Sequence, residues 1–194
     1  VGNLPVELER EKLRVLTETI EKCTGVRPAI YRAGRYGIGP NTAAILEEAG
    51  YRMDVSVRPH FDYGHEGGPV FTRHDSHPYW AGPKGELLEF PLGVPFTGML
   101  RHHARPIFGN GRTRSRLFGP LSRTGLLSRV ALTPEEMPLE FVRPAIRAML
   151  DDGIKYISIS FHSPSLVPGH TPYVRNSAEL NAFYRWWDKI LDYL

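Results

Sequence analysis

The sequence predicts an α/β fold, and three observations carry the prediction. A strand, a helix and a second strand follow one another between Pro28 and Val57, the signature of a βαβ unit on a parallel sheet. The run from Tyr156 to His162 alternates with a period of two: Ile157, Ile159 and Phe161 share one face, and Tyr156, Ser158, Ser160 and His162 the other. Amphipathic helical patterns lie near both ends of the chain. At 194 residues, 41 % hydrophobic and 23 % charged, the chain has the composition of an ordinary globular protein with one sizeable core.

Taken in order, the first element is a helix from about Pro5 to Cys23. Pro5 suits its first turn, Leu13, Leu16 and Ile20 make its apolar stripe, and Gly25 follows its end. A short strand from Pro28 to about Ala33 runs into a glycine-bearing loop. The next helix, in "GPNTAAILEEAG", starts near Pro40 and stops at Gly50, and "YRMDVSV" is the second strand. A loop rich in His, Gly and Asp reaches to about Trp80, and "ELLEFPL" is a further strand. Residues 98–132 read as an arginine-rich insertion. Thr133 is placed to cap a helix reaching about Leu150, with Glu136 completing a capping box and Pro138 and Pro144 bending or restarting it. The Tyr156–His162 strand follows. The last helix is capped by Asn176 and turns Leu180, Phe183, Trp187, Ile190 and Leu191 to a core. No repeat or clean boundary interrupts the chain, which reads as one α/β domain, 1–194.

Composition excludes several classes. No apolar run approaches the roughly 20 residues that cross a bilayer. The single Cys23 excludes an internal disulfide and any multi-cysteine zinc site. A net charge of +3 does not by itself imply nucleic acid. The chain lacks an initiator Met and a signal-peptide pattern, and so reads as processed or cut from something longer.

Chemistry is expected where strands end. Arg32 and His162 each stand where a strand breaks into a loop, the position at which α/β folds gather function. From spacing alone His162 is either a working residue or a hydrogen-bonded strand end. The loop residues His60, Asp62, His65, Glu66, His74, Asp75 and His77 include metal-ligand types, but their spacing matches no helix-based or hairpin-based metal motif, so they read as loop polar groups. Tyr79 and Trp80 offer aromatic faces for sugar rings. From Phe90 to Thr133 there are seven arginines and no carboxylate, which suits a solvated insertion, an anionic glycan or membrane surface, or, with few aromatics for stacking, nucleic acid.

Two stretches resemble a known family. Tyr31, Arg32, Ala33, Gly34, Tyr36 and Gly37, followed by "ILEEAGY" and Asp54, are similar to the central part of the polysaccharide deacetylase superfamily (carbohydrate esterase family four, the nodulation-type deacetylase homology domain). "ISISFHSPSLVPG" resembles that family's late strand ending in a catalytic histidine, and with "HTPYV" and the capped helix it looks like a bacterial polysaccharide-biosynthesis branch. The matches cover about Pro28 to Pro59 and Tyr156 to the C-terminus.

The resemblance implies part of a distorted (β/α) barrel whose first strands precede this sequence, and hydrolysis of N-acetyl groups on a polysaccharide amino sugar with zinc or another divalent metal. It gives His162 the part of general acid, with a ring suited to proton transfer near neutrality. It gives Arg32 the tethering of a base Asp, with Arg35 as the neighbouring alternative, and makes Asp54 or Asp62 the acid that orients the histidine. Tyr36, Arg35, Tyr79, Trp80 and Ser163 are the expected substrate contacts. The family's base and metal-binding motifs should precede Leu4 and are not in this sequence, which is expected to be a fragment rather than a degenerate relative. The implied setting is a bacterial cytoplasm or envelope, and the implied partners are an N-acetylated polysaccharide and either the missing N-terminal segment or a second copy. The competing expectations are a non-catalytic glycan-binding or regulatory module on the same fold and, less favoured, nucleic-acid binding through the arginines.

Overall fold

The structure, a computed structural model, describes residues 2–104 and 114–194, with residues 114–118 described by their backbone alone. These residues form a mixed α/β protein in two compact units, Val1–Leu92 and Gly93–Leu194. Arg105 and Arg112 of the arginine-rich stretch lie outside the described residues.

In the first unit, α1 (Val6–Thr24) is entered through Pro5 and closed by Gly25, whose left-handed φ of 74° turns its N–H onto the Glu21 carbonyl. Its buried face runs through Glu9, Leu13 and Thr17, spaced by four. Leu16, expected inward, falls beside that row and is exposed. The crossover predicted from sequence is present: β1 (Ile30–Tyr31), α2 (Thr42–Glu48) and β2 (Met53–Asp54), with β1 and β2 parallel. β3 (Tyr79–Ala81) and β4 (Leu87–Glu89) complete a four-stranded sheet in the order β1-β2-β4-β3, in which only β3 is antiparallel to its neighbour. Leu13, Tyr31, Ile45, Leu46, Tyr51 and Leu87 form the core.

Register draws two rows across this sheet. Ile30, Met53, Leu88 and Trp80 lie side by side, and so do Tyr31, Asp54, Glu89 and Tyr79. Because side chains alternate along a strand, the rows occupy opposite faces. One is apolar and partly open, with Trp80 66 % exposed; the other holds two buried carboxyls between two phenols.

In the second unit, β5 (Phe96–Thr97) pairs antiparallel with β6 (Ser128–Arg129), and α3 (Arg114–Arg123) lies between them in sequence. α4 (Leu139–Asp151) starts after Pro138, not at Thr133 as the sequence suggested. The reason is local: the Thr133 hydroxyl accepts the Glu135 N–H at 3.2 Å, which makes a tight turn instead of a capping box. Pro144 sits within α4 without ending it. α5 (Ser177–Leu191) is capped as predicted, Asn176 Oδ1 accepting the Glu179 N–H at 3.0 Å. Its inward indole is Trp186, which donates to the Met137 carbonyl at 2.9 Å, while Leu191 is exposed. The core gathers Val130, Leu132, Val142, Ile146, Met149, Trp186 and Ile190.

The expected strand at Tyr156–His162 is extended chain without a ladder. The Gly93 N–H bonds the Ser158 carbonyl at 3.2 Å, and the Ser160 N–H bonds the Leu132 carbonyl at 3.1 Å. The expected alternation holds only in part: Ile157 and Ile159 pack on the core and the Phe161 ring meets Phe183 and Trp187 at 5.4 and 5.6 Å, but Tyr156, expected on the opposite face, packs on the same core. Among the described residues both sheets are open and no barrel closes. No helix there is long and apolar enough to cross a membrane.

Candidate functional site

His162 is held where two stretches of the second unit run together. The Ser160–Leu132 bond aligns the chain before His162 with the chain before Thr133, and the Thr133 turn then brings Glu135 back. The Glu135 side chain is only 3 % exposed and accepts three hydrogen bonds. They come from the His162 backbone N–H at 2.9 Å, the His162 imidazole at Nδ1 at 2.7 Å, and the Ser165 hydroxyl at 2.5 Å.

A carboxylate accepts only, so the shared hydrogen sits on Nδ1 and the Nε2 lone pair is left outward. The His162 side chain is 61 % exposed, which leaves Nε2 open to a reactant. Tyr173 stacks on the ring, with centroids 5.8 Å apart and planes 14° from parallel, and its hydroxyl donates to Glu136 at 3.3 Å. Ser165 also meets the Thr171 hydroxyl at 3.0 Å. A buried carboxylate thus fixes the tautomer and orientation of an exposed imidazole. That arrangement suits proton donation and acceptance at one atom.

Glu135 and Tyr173 carry this geometry, and sequence reasoning named neither. Ser163, expected to touch substrate, is exposed at the start of the turn after His162; the serine bonded to Glu135 is Ser165. The carboxylate bonded to the imidazole is Glu135, while Asp54 and Asp62 are engaged within the first unit. Asp62 turns Oδ1 to the Gly64 N–H at 2.9 Å. Asp54 accepts from both the N–H and the hydroxyl of Ser56, whose oxygen in turn accepts the Ala33 N–H at 2.8 Å.

Asp54 also lies in register with Glu89, and both are buried, 1 % and 2 % exposed. Glu89 Oε1 accepts the Val57 N–H at 3.2 Å. Burial, and then the charge of Asp54, push the Glu89 carboxyl up to about 9. Burial also raises Asp54, against the pull of the Ser56 hydroxyl. Glu89 therefore keeps its proton beside Asp54 at neutral pH. Burial raises the flanking phenols as well, Tyr31 to about 12.

The remaining candidates are spread through the first unit. Arg32 and Arg35 flank a strained loop with Tyr36, and Trp80 stands exposed on β3. The loop histidines do not converge: His65 faces Glu66 at 3.4 Å, His77 bonds Asp75 at 3.1 Å, and His74 lies between the rings of Phe71 and Tyr79. Among the described residues no group of three His, Cys, Asp or Glu side chains is placed to hold a metal ion. Of the arginine segment, Arg101 is tied to Asp152 at 2.8 Å.

Compared with family models, curated proteins and solved structures, the chain matches none.

Proposed function

We propose that this chain supplies the proton-donating part of a polysaccharide deacetylase, with His162 as general acid. The observation that supports the reading is the Glu135–His162 pair, a buried carboxylate holding an exposed imidazole by Nδ1. In the reaction, water adds to the N-acetyl carbonyl, the C–N bond breaks, and acetate and a free amine form. The amine is a poor leaving group unless protonated. Imidazolium at His162 gives its Nε2 hydrogen to that nitrogen and returns to the neutral ring, which Glu135 holds in place by Nδ1. On this reading the open sheet of the first unit belongs to a distorted (β/α) barrel, and the substrate is an N-acetylated polysaccharide. The divalent metal that the resemblance implies would polarise the carbonyl and activate the water. The described residues do not form a donor set that fits it, so none of the steps assigned to this chain passes through it.

Acetate release from an N-acetylated oligosaccharide by the full-length protein, the segment with the base and metal motifs included, tests the reading. His162→Ala is expected to lose about 10²- to 10⁴-fold in rate, the usual share of a general acid. Equal rates in wild type and variant, or no acetate from the wild type, would overturn it. A second reading, glycan binding without catalysis, is favoured by the apolar row that ends in the exposed Trp80. Oligosaccharide binding lost in Trp80→Ala, with no acetate released, would select it.

A further inference from the structure

The loop after β1 and the loop after β2 converge, within the first unit, on one tyrosine ring. The Arg32 guanidinium lies 5.9 Å from the Tyr36 centroid and that of Arg58 5.1 Å from it. Arg58 also lies 4.0 Å over Phe61 and donates to the Tyr63 hydroxyl at 3.2 Å. Tyr36 and Phe61 each stack against Tyr63, at 5.8 and 6.0 Å. Among the described residues, no carboxylate lies within ion-pair distance of Arg32, Arg35 or Arg58. The nearest acids in sequence are turned elsewhere, Asp62 to the Gly64 N–H and Glu66 toward His65.

The backbone is held in an unusual shape to achieve this. Arg35 and Tyr36 are consecutive residues other than glycine at positive φ, 53° and 57°, and His60 has a φ of 65°. Such strain persists only where the surroundings enforce it, and it gathers at binding and catalytic loops. Here the enforcement is visible. The Gly2 N–H bonds the Gly37 carbonyl at 3.1 Å, the Asn3 side chain bonds the Gly67 carbonyl, and Gly2 and Gly39 approach so closely that neither could carry a Cβ. The His60 N–H bonds the Phe71 carbonyl at 3.0 Å and the Phe71 N–H bonds the Phe61 carbonyl at 2.8 Å.

A guanidinium carries five N–H donors in its plane, and an aromatic face beneath it engages none of them. Arginines held on rings rather than on carboxylates therefore keep their charge and most of their donors for another acceptor. We propose that Arg32 and Arg58 around Tyr36, with Arg35 next to that tyrosine in the chain, form a binding site for an oxyanion, the carboxylate or phosphate group of a small anionic ligand. Paired donors from a guanidinium fork match either group. The site stands on the arginine–ring geometry and not on the deacetylase reading, which gives Arg32 instead to a base Asp.

The test is a titration of the full ¹⁵N-labelled chain with inorganic phosphate and, separately, with glucuronate at constant ionic strength. Saturable shifts are expected at Tyr36 and at the Arg58 side chain, and the probe that saturates first tells phosphate from carboxylate. Arg58→Gln and Arg32→Gln should each weaken the tighter probe at least ten-fold. Arg14→Gln, which removes a charge from α1, should leave it unchanged. Should Arg58→Gln not fold, the exposed Arg32→Gln and Arg35→Gln carry the comparison. Shifts that remain linear in both probes, wild-type affinity in the folded variants, or an equal loss in Arg14→Gln would overturn the proposal.

Discussion

Glu89 in the first unit and Glu135 in the second both carry a buried carboxyl group, and the two are met in opposite ways. In the first, Glu89 faces another acid, Asp54, and among the described residues no cation pairs with either, so a proton must serve. In the second, the Glu135 side chain is also buried but faces three hydrogen-bond donors, one of them an imidazole that reaches solvent. Both arrangements satisfy the rule that a buried charge needs a partner. Only the second leaves that partner able to exchange protons with a reactant. Burial of an acid is therefore a weak sign of chemistry by itself; what matters is whether its partner has an open atom.

The largest expected effect comes from pH. Glu89 has an ordinary value of 4.5 and sits at about 9 in the folded chain. Between those values the folded state holds a proton that the unfolded state has lost, so unfolding releases it. The stabilisation is complete below about pH 4.5 and is lost as pH rises toward 9. For one proton the slope is about 1.4 kcal/mol per pH unit. Chemical denaturation of the wild type from pH 5 to 9 should show this decline, and Glu89→Gln, neutral at every pH, should flatten it. An equally steep decline in Glu89→Gln would show that the pair does not hold the proton.

A smaller effect is expected where the carboxylate has donors. Glu135→Ala leaves the His162 N–H to solvent and the Ser165 hydroxyl with Thr171 alone, so the loss should lie near the low end, about 1 kcal/mol, of what a lost buried hydrogen-bond partner costs. Glu135→Gln is milder and more informative. Its oxygen can still accept from the His162 N–H and from Ser165, which leaves its NH₂ facing Nδ1. The imidazole must then present a lone pair there and move its hydrogen to Nε2. The ¹⁵N shifts of the ring report that exchange of tautomer directly, and acetate release should fall with it. A ring that keeps its Nδ1–H in Glu135→Gln would separate the tautomer from the carboxylate.

What was legible in the sequence is what neighbouring residues decide. Gly25 ends α1, Asn176 starts α5, and the β1–α2–β2 crossover follows from a helical period set between two apolar runs. His162 stood out as a polar side chain where such a run breaks into a loop, and Asp54 through the resemblance alone. Their partners did not. Glu135 lies 27 residues before His162, and "TPEEM" reads equally well as a capping box, which spends its second glutamate on a backbone N–H. Only the turn made by Thr133 decides that the first glutamate points back. Glu89 carried a clearer signal: an acid inside "ELLEFPL" is out of place on a buried strand unless something meets it there. The Tyr156–His162 run shows the converse limit. Its alternation picks out Ile157, Ile159 and Phe161 as apolar contacts but misses Tyr156, and it cannot say whether hydrogen-bond partners exist to make the stretch a strand.

The smallest effect should come from Tyr173, whose ring covers His162. Aromatic pairs contribute about 0.5–1.5 kcal/mol, and an imidazole as exposed as this one belongs at the low end. Tyr173→Leu keeps apolar contact while removing the stack and the bond to Glu136. The Glu135 carboxylate is anchored independently, by the His162 N–H and Ser165, so it should still accept from Nδ1. The expected result is a loss of under about 1 kcal/mol with the Nδ1–H tautomer retained and the ring freer to rotate. If Tyr173→Leu instead changes the tautomer, the stack sets the ring and the carboxylate follows. The contrast between the units would then rest on ring packing rather than on which donor meets the buried acid.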